Sequence, residues 1–121
     1  MQKRLLIVDD EETITFSLYK SFIHSKADYE VVTSATAEEA LERIHEQAFD
    51  LVVTDIMMPG IDGFELMSAI HTEFPDTGVV IMTAYGSSIY KERAIAEGAV
   101  SYVEKPFEMK EFKSLIISLL D

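Results

Sequence analysis

Short apolar runs at positions 5–8, 29–32, 51–53, 79–82 and 102–103 alternate with longer segments whose apolar residues recur at helical spacing. This alternation constrains the fold more than any other feature. The runs are rich in β-branched or aromatic residues, and each closes on a polar or acidic one. Three of them, 5–8, 51–53 and 79–82, are continuously apolar, which suits strands buried on both faces. Five strands alternating with five helices imply an α/β fold: a parallel sheet with right-handed crossovers and helices on both sides.

The helical segments carry their own signals. Ile14, Leu18 and Phe22 form one i,i+4 row and Tyr19 and Ile23 an adjacent one, predicting a single buried face. Thr36-Ala37-Glu38-Glu39 predicts a capping box, with Ala37, Ala40, Leu41, Ile44 and Ala48 inward. A third helix follows Asp62, turns Leu66, Met67, Ile70 and Phe74 inward, and ends before Pro75. A fourth runs from about 87 to 97, with Gly98 as a left-handed cap. The last runs from about 108 to 120, with Phe112, Leu115, Ile116 and Leu119 inward.

Composition narrows the function. The 121 residues suit one domain, 1–121, either complete or cut from a longer protein whose output domain lies outside it. With no cysteine, thiolate metal sites, redox motifs and disulfides are excluded. A formal charge of −12 repels phosphate backbones, which argues against direct nucleic-acid binding and for cations or basic partners. The first apolar run is far too short for a signal-peptide core or a membrane span, so the expectation is a cytoplasmic protein without membrane contact.

Ligands of open parallel sheets bind beyond the carboxyl ends of the strands. Strand one ends in Asp9-Asp10, strand three in Asp55, strand four in Thr83-Ala84 and strand five in Glu104-Lys105-Pro106; strand two ends in an ordinary Thr33-Ser34. Three carboxylates, a hydroxyl and an amine thus converge on one edge. Clustered carboxylates repel each other unless a hard cation such as magnesium sits among them. A compact ammonium and a hydroxyl suit phosphate oxygens. The set reads as equipment for phosphoryl transfer. Individually the residues have blander readings: Asp9-Asp10 would suit a helix N-terminus, and Thr83, Tyr102 and Lys105 would pass as ordinary strand residues.

Taken in order along the whole chain, these residues resemble the receiver domain of bacterial two-component response regulators. The matching features are Asp9-Asp10, Asp55 followed by Ile56-Met57-Met58-Pro59-Gly60, Asp62-Gly63, Met82-Thr83-Ala84, Gly98-Ala99, Tyr102 and Lys105-Pro106-Phe107. The resemblance implies a doubly wound, flavodoxin-like sheet of strand order 2-1-3-4-5. It implies that Asp55 accepts a phosphoryl group from a phosphohistidine of a sensor histidine kinase or phosphotransfer protein. It also implies that Asp10, Asp55 and the backbone carbonyl of Met57 ligate magnesium, or manganese in its place, with Asp9 holding a metal-bound water. Lys105 would pair with the phosphoryl group, and Thr83 would move toward it. Tyr102 would turn inward after Thr83, and the Lys105–Pro106 bond would be cis. The small Ala84 leaves room for the phosphate. An apolar Met57 cannot orient a water, which points to slow loss of the phosphate; Tyr85 is equally unexpected beside such a site.

Two rival classes fit less well. A haloacid-dehalogenase-type phosphatase resembles Asp-x-Asp after strand one, whereas here the nucleophile candidate follows strand three. A flavodoxin-like electron carrier needs a hydroxyl- and glycine-rich loop where this chain has carboxylates. The domain is therefore expected to be a switch, not an enzyme with a small-molecule substrate, that controls an output domain or partner, with transcription regulation as the expected output. The run from Met82 to Ser87 is similar to receivers that precede ATP-driven transcription activators. Ile89 and Tyr90 on helix four and Ile117 and Leu120 on helix five add apolar surface, and the family pairs through helix four, strand five and helix five, so a homodimer by that face is expected. Kinase contacts would involve helix one near Ile14, Thr15 and Leu18. His24, His45 and His71, with no metal-ligand spacing, are expected at the surface or boundary, and the other acidic residues, Glu11 and Glu12 included, on solvated faces.

Overall fold

The computed structural model describes residues 2–23, 29–84 and 88–121. The elements in chain order are β1 (Lys3–Val8), α1 (Glu12–Ile23), β2 (Tyr29–Ser34), α2 (Ala37–Glu46), β3 (Leu51–Asp55), α3 (Gly63–Glu73), β4 (Gly78–Ala84), α4 (Ser88–Ala96), β5 (Ser101–Lys105) and α5 (Met109–Leu120). The sheet is parallel throughout, in the order β2-β1-β3-β4-β5. His24, Tyr85 and Ser87 lie outside the described residues.

The continuous apolar runs work because successive side chains of a strand face opposite sides of the sheet. Leu5, Ile7, Val53, Val80 and Met82 join Leu18, Phe22, Phe112 and Ile116 in a core under α1 and α5. Leu6, Val8, Val52, Val79 and Ile81 join Ile44, Leu66, Met67 and Ile70 in a second core under α2 and α3. The same alternation, carried to the strand ends, puts Asp9, Asp55 and Lys105 in the row of the α1/α5 side. Thr83 and Tyr102 fall in the other row.

Several helix faces differ from the sequence expectation. In α1 only the first row is buried: Leu18 and Phe22 are covered with Thr15, whereas Tyr19 is 37% and Ile23 46% exposed. In α5 the inward row is Phe112, Ile116 and Leu120; Leu119 is 36% exposed, and Ile117 packs against the α1/α5 core. This leaves helix five less apolar outside than expected. Ala48 lies beyond the end of α2 and is exposed, and Phe49 is buried instead.

The caps also redistribute. Thr36 accepts from the Glu39 N–H at 3.1 Å, but Glu39 does not reach back; its carboxylate stands 3.9 Å from Arg43. The complete capping box is on α3, where Asp62 accepts from Glu65 N–H and Glu65 accepts from Asp62 N–H. Gly98 has φ of 101°, the left-handed conformation that stops α4. His45, exposed at the end of α2, bonds the Leu41 carbonyl and Glu73 of α3; using both ring nitrogens as donors favours the protonated ring, so its pKa is raised, chiefly by the Leu41 contact.

Candidate strand-end site

The site is built where β1, β3 and β5 end side by side. Asp9 follows β1 and is buried, and its Oδ1 accepts from the Glu11 N–H at 3.0 Å. Asp55 closes β3 and is also buried, with Oδ1 accepting from the Ile56 N–H at 2.8 Å. Lys105 closes β5 and reaches across both: Nζ donates to Asp9 Oδ2 at 2.7 Å and to Asp55 Oδ2 at 3.0 Å. It also lies 3.6 Å from Glu11 Oε1.

Close packing holds the Asp55 turn in place. Gly63 N–H donates to the Ile56 carbonyl at 3.0 Å, and a Cβ at Gly63 would sit 2.3 Å from the Asp55 carbonyl oxygen. Any larger residue would therefore push α3 away from the loop that carries the aspartate. The Lys105–Pro106 peptide is cis.

Carboxylate oxygens of Asp9, Glu11 and Asp55 lie within 4.8 Å of one another. One ammonium against three carboxylates leaves two uncompensated negative charges. Burial pushes the Asp9 carboxyl up, and Asp55 adds to this, against the pull of its bonds to Lys105 and Glu11 N–H. Burial alone would lower Lys105, but its hydrogen bonds and charge contacts with the two aspartates together outweigh that and raise it. Lys105 is thus held firmly as a cation. Three convergent oxygen donors with residual negative charge fit a hard divalent cation.

The structure brings together most of the residues singled out from the sequence. Asp10 is the exception, since it is exposed and outside the trio of converging carboxylates. Glu11 was missed; four acidic residues in succession after β1 were the available signal. Met57 is 67% exposed and Ala84 is exposed on the rim. Thr83 is buried at the end of β4, near Tyr102, which is half-buried against the α2–α4 side of the core. Partial burial, then the Glu104 charge, raise the Tyr102 pKa, while the nearby Thr83 hydroxyl opposes the shift.

A groove of about 490 Å³ runs from this site between α1 and the start of α5. Ile14, Leu18, Ala84, Pro106 and Phe107 line it.

The chain matches the family model of the response regulator receiver domain over residues 5–117, and it belongs to that family. Among its relatives, FleR, a response regulator protein of Pseudomonas aeruginosa, is 34% identical over 116 residues, covering 96% of this chain and 24% of FleR. The heme response regulator HssR of Staphylococcus haemolyticus is 38% identical over 117 residues, covering 97% of this chain and 51% of HssR. The chain thus spans between a quarter and a half of these curated relatives. Among solved structures, the beryllofluoride-activated NtrC4 receiver domain dimer has a TM-score of 0.90 at 36% identity, covering 98% of this chain and 97% of that one. A putative response regulator from Chloroflexus aurantiacus has a TM-score of 0.89 at 31% identity, covering 99% and 98%. The doubly wound order expected from the resemblance is the order observed. None of the helices among the described residues is long and apolar enough to cross a membrane.

Proposed function

We propose that this domain is a phosphorylation-activated switch in which Asp55 accepts a phosphoryl group from a phosphohistidine of a sensor kinase or phosphotransfer protein. The observation that carries the reading is the bridge from Lys105 Nζ to both Asp9 and Asp55 at adjoining strand ends. Asp55 Oδ1 is held by the Ile56 N–H, which leaves Oδ2, on the Lys105 side, as the attacking atom. The new bond joins Oδ2 to phosphorus, the phosphorus–nitrogen bond of the donor breaks, and the electron pair leaves with the imidazole. Lys105 exchanges its carboxylate contact for a phosphoryl oxygen and neutralises charge where it develops. Asp9, Asp55 and the Met57 carbonyl would hold magnesium, with manganese able to substitute, and Asp10, exposed beside them, would turn toward the ion. When bound, the ion would supply charge neutralisation between the carboxylates and the incoming anion.

Thr83 donating to the phosphoryl group would draw away from its neighbour Tyr102, so the ring and the surface of α4, β5 and α5 would settle in a second state. A phosphate shifts such an equilibrium only by its differential interaction with the two states, which here is the Thr83 contact. Ile89 on α4 and Leu119 on α5 are exposed apolar residues flanking that surface, and the NtrC4 receiver is a dimer, which together support homodimerisation there. The groove beside Lys105, with Ile14 and Leu18 in its wall, suits a kinase or phosphotransfer helix. The PhoP relative of Bacillus subtilis is an alkaline phosphatase synthesis transcriptional regulatory protein. This supports control of transcription as the output of the full-length protein.

The test is incubation with acetyl phosphate and magnesium followed by intact mass. A gain of one phosphoryl group that Asp55→Ala abolishes is the expected result. An unchanged mass with the domain folded rejects the reading.

A further inference from the structure

An ammonium has three N–H donors, and Lys105 uses two of them on Asp9 and Asp55. The third carboxylate within ion-pair range is that of Glu11, whose Oε1 lies 3.6 Å from Nζ, too far for a hydrogen bond. The side chains of Asp9 and Asp55 are covered, that of Lys105 is 16% exposed, and that of Glu11 is 59% exposed. Glu11 thus stands on the solvent side of the ammonium, beside its one uncommitted donor. The backbone of Glu11 is fixed from both directions. Its N–H donates to Asp9 Oδ1 at 3.0 Å, and its carbonyl accepts from the N–H groups of Ile14 and Thr15 at 3.1 and 3.2 Å. Motion at this position is therefore confined to the side chain.

A phosphoryl oxygen that takes up the remaining donor of Lys105 arrives next to the Glu11 carboxylate. Like charges at that separation repel each other, and the repulsion grows in proportion to the charge of the arriving group. A phosphohistidine on a docked protein brings contacts made by the rest of that protein, and this remote binding energy offsets the repulsion. A free acyl phosphate brings none. We propose that Glu11 is a specificity-determining residue for the phosphoryl donor: its carboxylate disfavours free, highly charged donors and reserves Asp55 for a donor held in place by a protein surface. The inference rests on the reading of Asp55 as the phosphoacceptor. It gives Glu11 a task separate from that of Asp9 and Asp55, which hold Lys105 by direct hydrogen bonds.

The test follows phosphorylation by intact mass, with magnesium and at constant ionic strength, using two free donors. Acetyl phosphate is a dianion at neutral pH, and phosphoramidate carries one negative charge less. With either, the bond from Asp55 Oδ2 to phosphorus forms as the donor's own bond to phosphorus breaks, and the electron pair leaves with acetate or ammonia. Glu11→Gln keeps the shape and the backbone bonds and removes the charge. It should speed the reaction with acetyl phosphate about tenfold and that with phosphoramidate about threefold, as expected for one charge contact near a protein surface. The ratio of the two rates then rises about threefold, a change that loss of a merely structural contact would not produce. Glu111→Gln, which removes the same charge from α5, should leave the ratio unchanged. Equal acceleration with both donors, or none, overturns the proposal. Slower phosphorylation also overturns it, and a higher magnesium requirement in that case assigns Glu11 to the ion. No mass gain in either chain with either donor rejects the Asp55 reading itself, and this inference with it.

Discussion

β3 and β5 have five residues each, and each ends in one half of the Asp55–Lys105 pair. Every residue of β3 is buried and every residue of β5 is half-buried. β3 is flanked by β1 and β4, whereas β5 pairs with β4 alone and forms one edge of the sheet. The difference separates two tasks. A strand packed on both faces and both edges has no room to shift, because protein interiors are close-packed. It suits a group whose position must not change. An edge strand that is only partly buried has fewer contacts to break and can change state at lower cost. The nucleophile candidate sits on the first kind of strand, and Tyr102 and Lys105 sit on the second.

The largest effect should come from removing the charge that β5 contributes. Lys105→Met is expected to slow phosphorylation by acetyl phosphate by about 10²–10³-fold, the size of loss when one preorganised charge-stabilising group is deleted. A time course of intact mass measures it; a slowing of only a fewfold would mean that β5 supplies no essential part of the site.

The next effect concerns stability and compares the strands directly. Leu51→Ala on β3 should cost about 2–5 kcal/mol in urea unfolding, as for other large buried aliphatic truncations. Val103→Ala on β5, half-buried, should cost less than about 1 kcal/mol. Equal losses would erase the distinction between a rigid and a yielding strand.

The smallest effect is on pH dependence. The Asp9 carboxyl is pushed up by burial from its ordinary value of 3.8, so the folded state disfavours its charged form. The penalty is absent below 3.8, grows as pH rises toward the folded value, and is complete above it. Asp9→Asn should therefore raise the unfolding midpoint at neutral pH and lose that advantage below 3.8. Magnesium added to the natural chain should narrow the same gap. Lys105, pushed up from 10.5, works in the opposite sense, and its contribution fades only as pH rises beyond 10.5. An Asn variant that is less stable at neutral pH would show that the Lys105 bond outweighs the burial of Asp9.

Much of this organisation was legible before the structure. The alternation of apolar runs and helical periods was sufficient for the number, order and type of elements. The polar residues that close the runs were sufficient to find Asp55, Thr83 and Lys105, because a strand end is a local feature. Helix faces were harder. Choosing between the Leu18–Phe22 row and the Tyr19–Ile23 row, or between Leu119 and Leu120, depends on which neighbour lies beneath the helix. Apolar residues on adjacent rows carry no mark of that. Glu11 was overlooked for a similar reason. A third acidic residue at the start of a helix resembles a solvated one until Lys105 is placed 3.6 Å from it. Asp10, which the resemblance made a direct metal ligand ahead of Asp9, is exposed and outside the carboxylate trio, because successive residues at a strand end point to different sides.

The sequence by itself determined the layered parallel fold, the family, and the edge on which its chemistry gathers, since periodicity and strand ends are properties of short segments. Only the tertiary structure decided which carboxylates share Lys105 and that Thr83 stands near Tyr102. Those facts depend on side chains up to 96 positions apart meeting, and such meetings are set by how strands pair and pack rather than by any local pattern.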